Sequence, residues 1–133
     1  MNVLISIKPK YVEKIISKEK TYEFRRNIFK KEVEKIVIYS TSPEKKIVGC
    51  FKPNKIIKDC PKNLWNNFSE EAGINEEDFF DYFENKEMGF ALKIDELEVF
   101  ENPIETDKLV DFSAPQSFKY MGENEMTSLI EHI

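Results

Sequence analysis

The sequence predicts an α+β domain with a mixed or barrel-like sheet of about five strands and helices at its start, middle and end. Two observations carry this reading. First, the hydrophobic period switches repeatedly between two and 3.6 along the chain, so strand-like and helix-like segments interleave. Second, 133 residues with 13% aromatics, eleven of them Phe, supply enough apolar mass for the core of one compact domain. A charged fraction of 34% suits a solvated surface.

"NVLISI" (2–7) reads as a short buried strand. "PKYVEKIISKEK" (9–20) is a helix, with Pro9 suited to its first turn and Tyr11, Val12, Ile15 and Ile16 recurring on one inward face. The helix yields directly to "TYEFRR" (21–26), where the period becomes two. Tyr22 and Phe24 form its apolar face, and Thr21, Glu23 and Arg25 form the other. "EVEKIVIYST" (32–41) is a strand with a Val/Ile run, followed by the polar turn "SPEKK". "IVGCFKPNKIIKD" (47–59) returns as a strand interrupted near Pro53, the mark of an edge or bulge. Two helices follow: "PKNLWNNFSEEAG", stopped by Gly73, and "NEEDFFDYFENKE", with Asn75 as N-cap and acids in the first turn. "MGFALKIDELEVFENP" (88–103) alternates well and reads as one long strand. Residues 104–122 read mostly as loop, and "ENEMTSLIEHI" closes the chain as a helix.

The net charge of −5 speaks against a binder that is basic over its whole surface. Basic residues concentrate in 8–62 and acidic ones in 69–107, so a local basic face remains compatible with the acidic total. No apolar run approaches the ~20 residues that span a bilayer. The N-terminus lacks the basic-then-apolar order of a signal peptide, and the expected compartment is the cytoplasm. Cys50 and Cys60 form no disulfide framework there, and Cys50 reads as a small core residue. Two separated Cys and a near-terminal His132 offer no metal-ligand cluster. Neither cofactor, metal nor membrane partner is expected.

The polar face of "KTYEFR" is the strongest chemical signal. Same-face residues on a strand lie about 7 Å apart, so Glu23 and Arg25 can pair or share a ligand, with Lys20 folding over from the junction. Two cationic donors and one acceptor suit a phosphate beside a base edge. The competing reading is an exposed salt-bridged strand face of little energetic weight. Elsewhere, Ser40 in "YST" offers a hydroxyl at a strand end, or simple turn chemistry before Pro43. Lys52 and Lys55 flank Pro53 as a basic rim or a protected edge. The aromatics of "EEDFFDYF" recur at near-helical spacing as core, leaving Asp78 or Glu77 free to face a cleft. In "PQSFKY", Gln116 can pair with a base, and Phe118 or Tyr120 can stack on one; equally, the rings can pin a long loop.

A helix followed by "KEKTYEFR" resembles the ASCH family of the PUA-like superfamily, whose hallmark is Gly-x-Lys-x-x-Glu-x-Arg. Lys20, Glu23 and Arg25 stand in register, while Lys18 replaces the usual Gly. "IVIYSTSPEKKIVGCF" and "APQSFKYM" add to the likeness, which covers most of the chain. The resemblance implies a single domain over 1–133 with a curved, mostly antiparallel PUA-like β-barrel and flanking helices. It implies binding of RNA or a modified nucleoside, with a part in RNA metabolism or translation, through Lys20, Glu23, Arg25, Ser40, Gln116, Phe118 and Tyr120. The alternative it implies is a small nucleoside amidohydrolase or ribonuclease with a catalytic set of Lys20, Thr21 and Glu23. The amidohydrolases carry Thr where Glu23 stands here, which favours the binder. A DNA regulator is not favoured, because no additional helix-turn-helix is present.

Overall fold

The computed structural model describes residues 1–109 and 111–131; His132 lies outside them. The chain runs β1 (Asn2–Ile7), α1 (Pro9–Ile16), β2 (Tyr22–Arg25), β3 (Lys35–Ser40), β4 (Lys46–Lys52) and β5 (Ile56–Asp59). It continues through α2 (Pro61–Phe68), α3 (Glu76–Tyr82), β6 (Gly89–Lys93), β7 (Asp95–Glu105), β8 (Phe118–Met121) and α4 (Glu123–Ile130). One-turn 3₁₀ helices at Ser69–Glu71 and Thr106–Lys108 complete it. The architecture is α+β. Among the described residues no helix is long and apolar enough to cross a membrane.

The expected closed barrel is corrected to two sheets. A five-stranded sheet has the order β7-β4-β3-β1-β8, and a three-stranded sheet has the order β2-β6-β5. The pairings are antiparallel except β1 with β3, which run parallel. The reason lies in two bends. Strand 47–59 breaks at Pro53, which cannot donate to a ladder, so β4 joins the large sheet and β5 the small one. Strand 88–103 breaks at Ile94, and Glu96 beyond it takes φ +48°. There β6 leaves the small sheet and the chain returns to β4 as β7. Strand-type residues resume within a few positions of each break, at Ile56 after Lys52 and at Asp95 after Lys93, which is why each pair reads as one segment in the sequence. The segment 104–122 contains β8, which pairs with β1.

The central strands are buried on both faces. Val3, Ile5 and Ile7 of β1 pack with Val12 and Ile15 of α1, while Leu4 faces Val37, Tyr39 and Cys50 on the other side. At about 1.5–3 kcal/mol per fully buried large aliphatic side chain, this is the main stabilising reservoir of the fold. Ile16, expected inward, is 45% exposed, because α1 ends there and only Val12 and Ile15 reach the core. A third cluster joins Tyr22, Phe24 and Ala91 of the small sheet to Leu64 of α2 and Phe79 of α3. The Asn75 side-chain oxygen accepts the Asp78 amide at 2.8 Å and caps α3. These contacts fix α3 over the small sheet, opposite the parallel pair.

Candidate functional site

Alternation on β2 sends Tyr22 and Phe24 into the core and turns Glu23 and Arg25 to the other face. That face is not solvent. Lys20, Glu23 and Arg25 are 3%, 7% and 8% exposed, which excludes the loose surface salt bridge. Glu23 bridges the two cations. Its Oε1 lies 3.5 Å from Lys20 Nζ, and its Oε2 accepts from Arg25 Nη2 at 2.9 Å.

Each cation is also held by the backbone or a hydroxyl. Lys20 Nζ donates to the Ala72 carbonyl at 2.8 Å and stands 5.0 Å from the Phe24 ring centre. Arg25 Nη2 donates to the Ser6 carbonyl at 2.8 Å, and Nη1 to Ser117 Oγ at 3.3 Å. Arg25 Nε is buried without a hydrogen-bond partner. Burial pushes the Lys20 amine below its ordinary pKa, with the Glu23 carboxylate opposing that shift.

Two backbone features set this geometry. The position before the motif, Lys18, has φ +67°, the left-handed conformation that Gly adopts freely after a helix. Gly73 has φ +62°, and a methyl there would fall 2.5 Å from Lys20 Cβ. Gly73 therefore lets the chain press against the Lys20 stem while the Ala72 carbonyl holds its tip.

The triad lines a cavity of about 640 Å³. Ser6, Ile7, Lys8, Lys10 and Tyr11 enclose it from β1 and α1, and Asp78, Phe79, Asp81 and Tyr82 from α3. Thr41 and Gln116 complete its mouth. Arg26 fastens the α3 wall: its Nη1 donates to the Tyr82 and Glu84 carbonyls at 2.8 and 3.0 Å, and its amide to the Tyr82 hydroxyl at 3.2 Å. Burial pushes the Tyr82 phenol above its ordinary pKa. Among the described residues no group of three or more His, Cys, Asp or Glu side chains could hold a metal ion.

Not every residue singled out in the sequence reaches this cavity. Thr21 was expected to share the face of Glu23 and Arg25. Its hydroxyl instead donates to Glu71 Oε2 at 2.8 Å, in an exposed contact away from the cavity lining. Ser40 is buried at the end of β3, and its neighbour Thr41 lines the cavity in its place. Gln116 is at the mouth, but Phe118 and Tyr120 lie on β8 outside the lining. Phe118 packs edge-on against Phe29, and the Tyr120 hydroxyl accepts the Lys30 and Lys31 amides at 2.8 and 3.3 Å. The two rings thus pin the segment before β3. Sequence reasoning passed over several cavity residues, among them Ser6, Lys8, Lys10, Tyr11, Asp81 and Tyr82, as well as the Arg25 partner Ser117. Tyr11, Asp81 and Tyr82 sat inside helical apolar patterns read as core, and Ser117 gave no signal beyond its loop.

Fold and site together define a small α+β domain built around a buried cation–carboxylate–cation group in an accessible cavity. The family model described as Domain of unknown function (DUF365) matches residues 1–122. The chain is 31% identical over 132 residues to the ASCH domain-containing ribonuclease of Zymomonas mobilis, covering 96% of this chain and 88% of that protein. The crystal structure of ASCH from Zymomonas mobilis superposes with a TM-score of 0.89 at 30% identity, over 98% of this chain and 94% of that one. A Ureaplasma parvum protein named large ribosomal subunit protein uL22 is 25% identical over 120 residues, 90% of this chain and 39% of that protein. The chain belongs to the ASCH family of the PUA-like superfamily.

Proposed function

We propose that this chain, acting as one ASCH unit in the cytoplasm, binds a single-stranded or modified RNA element, or a modified nucleoside, in the cavity over Lys20, Glu23 and Arg25. The observation that carries the reading is the burial of two cations on one carboxylate at the floor of an open cavity. Such a group holds donors ready for a phosphate or a base edge without the cost of ordering them on binding. The aromatic rings of Tyr11, Phe24 and Tyr82 in the walls offer surfaces for a base, and the carboxylates of Asp78 and Asp81 offer acceptors for its amino groups. The likeness to a relative named as a ribonuclease supports RNA as the polymer. The test is a titration of tRNA, single-stranded RNA and a panel of modified nucleosides at two salt concentrations. Arg25→Ala is expected to cost about 1.5–3 kcal/mol of binding, the range for a charge-assisted hydrogen bond. The salt slope is expected to be shallow, because one cavity engages few phosphates. No binding by any probe, or full affinity in Arg25→Ala, would sink the reading.

A second reading, RNA cleavage, is favoured by the name of the same relative, a ribonuclease. Lys20 is then the group of interest, since burial that lowers its pKa raises the fraction of free amine available as a general base. Incubation of end-labelled RNA with the wild type and with Lys20→Ala separates the readings. Cleavage that disappears in the variant supports the nuclease, and binding without cleavage supports the binder.

A further inference from the structure

We propose that Tyr82 reads the base held in this cavity, its hydroxyl donating to the carbonyl of a guanine whose ring N–H and amino group are taken by the Asp78 carboxylate. The inference rests on the RNA-binding reading and deepens it by naming the base. It starts from one oxygen atom. The Tyr82 hydroxyl accepts the Arg26 amide at 3.2 Å, and among the described residues nothing accepts the proton it carries. The amide occupies one side of the oxygen, so the O–H bond turns to the other. The rest of the residue is held as firmly. Arg26 Nη1 donates to the Tyr82 carbonyl at 2.8 Å, and the ring stands edge-on to buried Phe83 with centres 4.9 Å apart. Tyr82 lines the cavity and is 37% exposed, so a ligand there can reach it. Burial pushes the phenol above its ordinary pKa, against the pull of Arg25, so the group stays a neutral donor at neutral pH.

The neighbours of the hydroxyl decide what it meets. Asp78 stands four residues before Tyr82, adjacent to it on the surface of α3, and lines the same cavity. Its Oδ2 accepts from Asn75 Nδ2 at 3.1 Å, which orients the carboxylate and leaves Oδ1 open. Asp81 adds a second carboxylate to this wall. Negative charge beside the hydroxyl disfavours a phosphate there, so the acceptor it meets is a neutral atom of a base. The bases then differ by count. The Watson–Crick edge of guanine carries one carbonyl beside two adjacent N–H donors, which matches one hydroxyl beside one two-oxygen carboxylate. Adenine offers a single donor and a single acceptor on that edge. Cytosine and uracil each add a second acceptor, which would face the carboxylates of α3.

The experiment displaces a labelled single-stranded RNA with the 5′-monophosphates of guanosine, inosine, adenosine, cytidine and uridine, which share their phosphate and differ in the base. In the wild type guanosine monophosphate should compete on the order of 10-fold better than the cytidine and uridine compounds, the discrimination of one good bidentate pair. Inosine monophosphate, which lacks the amino group, should fall between. Tyr82→Phe keeps the ring and removes only the hydroxyl. It should weaken guanosine and inosine monophosphates about 10-fold, a larger loss than adenosine monophosphate, which has no carbonyl, suffers. Arg26 is the positioning residue: Arg26→Met should narrow the guanosine-to-uridine ratio, and Arg26→Lys should restore part of it. A merely structural Arg26 would lower the melting temperature and leave that ratio alone. If RNA binds but the mononucleotides compete equally or not at all, or the guanine preference survives in Tyr82→Phe, the assignment is wrong and the RNA-binding reading stands. If the labelled RNA does not bind the wild type, both fall together.

Discussion

Replacing Glu23 with Gln keeps the shape of the triad and removes the charge between its two cations. At an effective dielectric of about 20, Coulomb's law gives about 6 kcal/mol for the 2.9 Å contact of Glu23 and about 5 kcal/mol for the 3.5 Å contact. Desolvation of the carboxylate cancels much of this, and removing one partner from a buried ion group costs a net loss of about 3–5 kcal/mol. Lys20→Met should cost less, about 1–2 kcal/mol, because Glu23 and Arg25 remain as a matched pair and the main loss is the bond to the Ala72 carbonyl. The pH dependence has a definite sign. The folded Lys20 holds its proton less tightly than the unfolded one, so stability rises as pH climbs through the folded pKa toward 10.5. Without the Glu23 charge that rise begins at lower pH, so Glu23→Gln should gain more stability than the wild type as pH climbs toward 10.5. Urea unfolding followed by the single tryptophan measures all three quantities, since Trp65 packs 5.0 Å from Phe79 at the α2–α3 contact. The reasoning is refuted if Glu23→Gln lies within about 0.5 kcal/mol of the wild type, the range of an ordinary surface substitution, or if Lys20→Met proves the more damaging change.

Gly73→Ala should destabilise the fold by at least about 1 kcal/mol through its left-handed backbone. It should also weaken RNA binding several-fold by displacing the Lys20 stem, although Gly73 is outside the cavity lining; unchanged affinity in a titration would separate the two effects. Lys18→Gly should stabilise by about 0.5–1 kcal/mol, read as a higher urea midpoint at unchanged slope, because it relieves φ +67° at the end of α1. Thr21→Val should leave RNA affinity intact, as the Thr21 hydroxyl is engaged with Glu71. Hydrolysis of acetylated cytidine should be absent or very weak in the wild type; turnover abolished by Lys20→Ala would instead promote the hydrolase.

The parts of the fold legible in the sequence are the local ones. The period of two over Tyr22–Arg25 separates core from cavity within a few residues, and the Asn75 cap lies three residues from the amide it satisfies. The family register of Lys20, Glu23 and Arg25 is likewise local. The two sheets were not legible, because only Ile94 separates β6 from β7 and no Gly or Pro marks the bend. β8 was hidden for a different reason: four residues carry little periodicity, and its partner β1 lies at the other end of the chain. The α3 wall was concealed by its own packing. Phe79 and Phe83 are core residues on the helical period, and the cavity-facing Asp78, Asp81 and Tyr82 take the intervening positions, where polar residues ordinarily meet solvent.

The floor of the cavity belongs to the small sheet and its mouth to the large one, with the bond from Arg25 to the Ser6 carbonyl spanning the seam. This division bears on the order of assembly. Neither sheet alone can bury the triad, and the ion group would remain hydrated until the two layers close upon it. Its contacts join Arg25 to Ser6 and Ser117, 19 and 92 residues away, so the group is complete only when segments of both sheets are in place. The cavity therefore exists only in the fully packed chain, and a chain that has completed only one sheet has no site to offer.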